Sequence, residues 1–208
     1  ISMDGTTFGE TLLMDKFEAL TPDIYSPDAN PPDANPPVKA TLQEEVDTAL
    51  AERNFISAIE LVEANWDAGA QMRENMAAHY ARALVGRAGE IMVQFPSEAE
   101  QLLRKAIKAA PGQTQAHLML GAQYIRAQDF PHAIGVYKQV LKLDSEKADA
   151  WFNLGFSYAQ TSDYTAAENA FMRAANLKPP YLGKCLFNLA VVQQKLGKRS
   201  NSIENLEA

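Results

Sequence analysis

The sequence predicts an all-α protein, a solenoid of antiparallel helix pairs preceded by a Pro-rich extended arm. Three observations predict it. From residue 114 onward the sequence repeats with a period of 34 residues, apolar residues inside each period fall at three- and four-residue spacing, and six of the eleven prolines crowd into residues 21–37. A fixed period of this length marks a two-helix unit that buries its apolar face only by stacking on its neighbours.

Residues 1–21 read as an arm with a short amphipathic segment, in which Leu12, Leu13, Phe17 and Leu20 share one helical face. Such a segment is too short to stand without a surface to lie on, and a plain arm with incidental apolar residues is the alternative. Residues 22–38 form a linker in which Asp28-Ala29-Asn30-Pro31-Pro32 is duplicated as Asp33-Ala34-Asn35-Pro36-Pro37. Proline fixes φ and removes backbone donors, so this stretch is expected to be an extended, semi-rigid spacer. Residues 39–113 read as degenerate helical hairpins. Leu42, Val46, Ala49, Ala58 and Val62 carry the first, with a turn at Arg53-Asn54-Phe55. Leu84, Ala88, Ala99, Leu103, Ala106 and Pro111 carry the second, whose turn near Phe95-Pro96-Ser97 is slightly lengthened.

Residues 114–147 and 148–182 are the regular repeats. Leu120 falls on Leu154, Gly121 on Gly155, Tyr124 on Tyr158, Ala133 on Ala167 and Tyr137 on Phe171. Thr161-Ser162-Asp163 supplies a turn and a capping residue between the two helices of the second repeat, and Pro179 stops that repeat. The small residues let helices approach closely while the aromatics fill the remaining space. Residues 183–208 read as a truncated third copy, with one residue inserted at Pro179-Pro180, that places Leu186, Leu189, Ala190 and Leu196-Gly197 in register. The first residue is Ile1 and the last, Ala208, falls inside a repeat, so the expectation is a segment of a longer polypeptide that lacks its targeting information.

Trp151, Leu154, Gly155, Tyr158, Ala167, Phe171, Ala174 and Pro179 stand at the eight signature spacings of the tetratricopeptide repeat, which this region closely resembles. The 114–147 repeat departs at His117, in the tryptophan slot, and at Ser145, in the proline slot. The resemblance covers most of the chain, strongest over 114–181 and weakest before 78. It implies a right-handed solenoid in which the first helix of each repeat lines a concave groove.

Little else in the sequence points to chemistry. With 47% apolar and 22% charged residues the composition is globular, and no apolar run approaches the ~18 residues of a membrane-spanning helix. Of the net charge of −7, residues 1–40 carry −5 and the rest is nearly balanced, which argues against nucleic acid as a partner. Cys185 is the single cysteine, so disulfide frameworks and multi-cysteine zinc sites are excluded, and a small buried hydrophobe is the expected role. His79, His117 and His132 form no metal motif, and His117 is expected to be a packed ring. No phosphate-binding glycine motif and no nucleophile elbow is present. The expectation is a protein without catalytic, cofactor or metal residues.

The resemblance turns attention to the groove. It assigns to the inner wall Leu118, Ala122 and Ile125 from the first regular repeat, Phe152 and Phe156 from the second, and Lys184, Phe187 and Val191 from the last, and it adds Asn153 as a ligand-holding position of the second repeat. The wall is apolar enough to suit an amphipathic helix or an extended apolar peptide of a partner, with Asn153 bonding the bound backbone and Lys184 favouring a nearby acid. Cover by further repeats or by the arm of the same chain is the alternative. Family members that grip the acidic tail of heat-shock chaperones use a five-residue carboxylate clamp. Asn153 and Lys184 match it here, whereas Leu118, Ala122 and Asn188 replace the rest, so that ligand is not expected. Lys178, Lys184, Lys195, Lys198 and Arg199 make the C-terminal part basic and suited to an acidic partner. The function implied is a non-catalytic protein–protein interaction scaffold or adaptor. Self-association is a second possibility, and a docking or regulatory region of a larger enzyme, or of a membrane-anchored complex, is a third. A cytoplasmic setting is the default, and an upstream membrane anchor is compatible with the Pro-rich stretch acting as a stalk.

Overall fold

The computed structural model describes residues 40–198; the expected arm, linker and final residues of the last repeat lie outside them. The described residues form nine α-helices and one short 3-10 turn, with no strand. In chain order the helices are α1 (Leu42–Ala51), α2 (Phe55–Ala64), α3 (Ala70–Ile91), α4 (Pro96–Ala109), α5 (Thr114–Arg126), α6 (Phe130–Leu143), α7 (Ala148–Gln160), α8 (Tyr164–Asn176) and α9 (Leu182–Lys195). Each helix packs on the next in sequence. The odd-numbered helices also touch one another in order, α1 on α3, α3 on α5, α5 on α7 and α7 on α9. The result is a solenoid of helix pairs with the odd helices forming one continuous layer.

Local chemistry fixes the turns. Thr41 opens α1 with a capping box, its hydroxyl accepting from the Glu44 N–H at 3.3 Å and the Glu44 carboxylate accepting from the Thr41 N–H at 2.7 Å. Between α1 and α2, α5 and α6, and α7 and α8, one solution recurs. Arg53, Gln128 and Ser162 adopt left-handed φ values of 58°, 59° and 64°. The N–H of the next residue then reaches back five residues, Asn54 to Ala49, Asp129 to Tyr124 and Asp163 to Tyr158, at 2.8–2.9 Å. This closes the first helix in the manner of a Schellman motif. The side chains of those same residues accept from the N–H groups of Ser57, His132 and Ala166 and so cap the second helix. One residue therefore ends one helix and begins the next.

The α3–α4 connection is built otherwise. Pro96 occupies the first turn of α4, no side chain caps that helix, and Val93 and Phe95 stand 75% and 56% exposed.

Small residues set the spacing inside each pair. Ala58, Ala99, Ala133 and Ala167 are fully buried at one equivalent position of α2, α4, α6 and α8. A Cβ on Gly121 would stand 2.7 Å from the Tyr137 ring, and one on Gly155 3.0 Å from the Phe171 ring. At Gly121 the ring occupies the space a side chain would take, and at Gly155 it leaves a tight fit. His117, in the tryptophan slot, is buried with its Nδ1 3.2 Å from the Gln113 carbonyl oxygen. Cys185 is wholly buried, and burial pushes its thiol up, away from nucleophilic use.

Candidate functional site

The nine residues singled out from the sequence sit on the layer of odd-numbered helices. Leu118, Ala122 and Ile125 lie at i, i+4 and i+7 on α5; Phe152, Asn153 and Phe156 lie on α7; Lys184, Phe187 and Val191 lie on α9. Direct packing of α5 on α7 and of α7 on α9 keeps the three sets on adjacent helices.

They are not equally available. Leu118 and Ile125 are half-buried against the main core. Phe152 is wedged edge-on between Phe171 and Tyr181, each ring centroid 5.6 Å away. Phe156 is half-buried and meets Phe130 edge-on at 6.2 Å. Both phenylalanines pack against a smaller core of Ala167, Phe171, Leu189 and Val192, and so help hold α7, α8 and α9 together. Ala122 is open. The accessible large apolar groups are on α9, where Phe187 is 58% and Val191 40% exposed.

Charge is gathered at the same end. Lys184 and Lys195 are exposed on α9, one turn before Phe187 and one turn after Val191. Lys198 is committed elsewhere, donating to Glu168 at 2.6 Å, while the Gln193 amide donates to the same carboxylate at 3.2 Å. Arg199 lies outside the described residues. The Tyr181 hydroxyl donates to Asp149, and burial together with that carboxylate drives the phenol well above its ordinary range. The Asn153 side chain is half-buried, and its backbone carbonyl accepts from the Ser157 hydroxyl at 2.8 Å.

Sequence reasoning missed a second concave feature. Glu63 of α2 accepts from the Tyr80 hydroxyl and from the Lys105 ammonium, each at 2.5 Å, so that α2, α3 and α4 are tied through one carboxylate. Those two donors hold the Glu63 carboxyl below the usual range, and Lys105 lies over the Tyr80 ring at 5.5 Å. Beside them Trp66 and Tyr80 line a cavity of about 730 Å³. No sequence signal pointed there, because Glu63 and Lys105 stand 42 residues apart and outside the regular repeats. Among the described residues no group of three His, Cys, Asp or Glu side chains is placed to hold a metal, and no helix is long and apolar enough to cross a membrane.

The Tetratricopeptide repeat family model matches residues 118–181. Human Protein O-mannosyl-transferase TMTC3 is 33% identical over 102 residues, which are 49% of this chain and 11% of that protein. Mouse Superkiller complex protein 3 is 31% identical over 97 residues, 46% of this chain and 6% of that protein. The chain thus spans about a tenth or less of the length of these curated relatives. Among solved structures, MamA superposes with a TM-score of 0.60 at 18% identity, covering 78% of this chain and 90% of that one. The first tetratricopeptide domain of Spaghetti (RPAP3), bound to an HSP90 peptide, superposes with a TM-score of 0.55 at 18% identity, covering 58% of this chain and 95% of that one. The architecture, the signature residues and the matched family model agree: residues 118–181 carry the tetratricopeptide repeat, and the described residues have the tetratricopeptide-repeat fold.

Proposed function

We propose that the chain is a non-catalytic interaction scaffold that takes a segment of a partner protein along its odd-helix layer, with α9 as the principal anchor. The observation that carries this reading is the pair of accessible apolar side chains Phe187 and Val191, flanked by the exposed Lys184 and Lys195. Large apolar groups left open beside cations suit an amphipathic segment with an acidic edge, in which a few buried anchors supply most of the affinity. Leu118, Ile125, Phe152 and Phe156 back this surface, and Ala122 leaves room beside them. The HSP90 peptide bound by the Spaghetti domain illustrates the mode of use within the fold. A carboxylate clamp for an acidic tail is not the basis of binding, since Leu118, Ala122 and Asn188 stand where that clamp has a lysine, an asparagine and an arginine.

The test is a pull-down from source cells with the chain and its Phe187→Asp variant, followed by affinity measurement on whichever partner is recovered. Phe187 is more exposed than Phe156, so an aspartate there leaves the helices intact while setting a charge at the contact. The expected result is a loss of at least tenfold in affinity. A folded variant that retains its partner removes α9 from the binding surface. A second reading is a docking region within a larger enzyme or membrane-anchored complex, and the likeness to a short part of Protein O-mannosyl-transferase TMTC3 favours it. Self-association is separated from both by sedimentation of the chain alone.

A further inference from the structure

The outer junctions between repeats carry a second, independent surface. Ala58, Ala99 and Ala133 fix a common register for α2, α4 and α6, and five residues beyond them stand Glu63, Arg104 and Lys138. Each faces the next repeat. At the first junction Glu63 meets Tyr80 of α3 and reaches across to Lys105 of α4. At the second, the Tyr124 hydroxyl donates to Glu100 at 2.9 Å, and Arg104 pairs with that same carboxylate at 2.9 Å. At the third, Lys138 lies over the Tyr158 ring of α7 at 5.4 Å, and the register equivalent of Lys105 on α8 is Arg173. Both earlier junctions contain a carboxylate. The third sets Lys138 and Arg173 on either side of α7 and replaces Glu100 by Ile134.

That junction is also open. A cavity of about 440 Å³ is lined by Lys138, Lys142, Trp151 and Tyr158 with apolar neighbours. A second, of about 420 Å³, is lined by Trp151, Asn169 and Arg173 and shares Trp151 and Asn169 with the first. Neither has an acidic side chain in its lining.

We propose that this junction binds an acidic segment of a partner protein, whose carboxylate enters between Lys138 and Arg173 in the role Glu63 plays at the first junction, while an adjacent apolar side chain lies on Trp151. Charge complementarity selects the carboxylate, since two cations in equivalent register to an ion pair lack their acid. The apolar lining around Trp151 selects a peptide over a nucleic acid strand, which needs a continuous cationic track for its phosphates.

The chain has two tryptophans, so Trp66→Phe leaves Trp151 as the sole reporter. In that background, a synthetic peptide alternating glutamate and leucine is titrated against Trp151 fluorescence, with its glutamine analogue as control. A saturable change is expected, at least tenfold weaker for the glutamine peptide and at least tenfold weaker again in Lys138→Gln and Arg173→Gln variants. Both sites are on helix surfaces, and circular dichroism checks that the variants remain helical. Arg82→Gln, at an exposed position of α3, is expected to leave binding unchanged. Equal binding of the two peptides, insensitivity to both variants, or tighter binding by a single-stranded thymidylate oligomer that displaces the peptide overturns the proposal.

Discussion

The hairpin of α3 and α4 and the hairpins of α5–α6 and α7–α8 reach the same packing by different routes. Downstream, Gly121 and Gly155 face the aromatic ring of their own hairpin partner, Tyr137 or Phe171. Upstream, the close approach is at Gly86, and the ring pressed on it is Phe55 from the preceding α2. Downstream turns are closed by a residue serving both helices; the α3–α4 turn depends on Pro96 and leaves Val93 and Phe95 in water. The difference teaches that a repeat tolerates loss of its signature if some small residue still admits a ring and some device still ends the helix.

Alanine at the two kinds of glycine contact is the sharpest way to break that comparison. Gly121→Ala presses on Tyr137, which is fully buried and has nowhere to move, so a net destabilisation of about 1–2 kcal/mol is expected after the gain in helix propensity. Gly86→Ala presses on the far edge of Phe55, which is half-buried and can swing outward, so less than half that loss is expected. Urea denaturation of both variants measures the difference, and equal losses contradict the account.

Capping offers a reciprocal pair. Asp163→Ala removes the side-chain acceptor for the Ala166 N–H and is expected to cost about 1 kcal/mol. Phe95→Asp supplies α4 with the cap it lacks and removes an exposed ring, so it is expected to add about 1 kcal/mol and raise the melting temperature by a few degrees. A thermal scan showing both changes in the same direction refutes the assigned roles.

The smallest effect sharpens the comparison at the upstream junction. Hydrogen bonds from Lys105 and Tyr80 hold the Glu63 carboxyl below its ordinary value, so its contribution is present above the normal carboxylate range and is lost as pH falls through the lowered folded-state value. The Glu63 and Lys105 side chains are both about half exposed, which limits the contribution to about 1 kcal/mol or less. Glu63→Gln is expected to lower stability by about 1 kcal/mol or less at neutral pH and to leave it nearly unchanged at acid pH, so that urea denaturation across pH shows a flattened acid limb.

Much of the architecture was legible because repeats concentrate information. Ala133 and Ala167, Gly121 and Gly155, Tyr137 and Phe171 recur at fixed spacing, and each does in the structure what its size requires. The left-handed conformation of Arg53, Gln128 and Ser162 was not legible, because the bonds that close the preceding helix impose it, not the residue type. Gly86 escaped notice for a similar reason: the ring that requires it comes from another hairpin. The candidate site was legible as a set of helix positions and illegible as a surface. Nothing in the spacing of Phe152 and Phe156 reveals that Phe130, Phe171 and Tyr181 come to pack against them, leaving Phe187 and Val191 as the open pair.

The residues that both close one helix and cap the next carry a consequence for how this chain can be lengthened. At Asn54, Asp129 and Asp163 there is no slack, since the N–H and the side chain of a single residue are engaged on opposite helices. An added residue there separates the two engagements and shifts the second helix against its neighbours. The α3–α4 connection has no such double engagement and ends in water, so a reporter loop or affinity tag introduced between Val93 and Phe95 leaves the stack undisturbed.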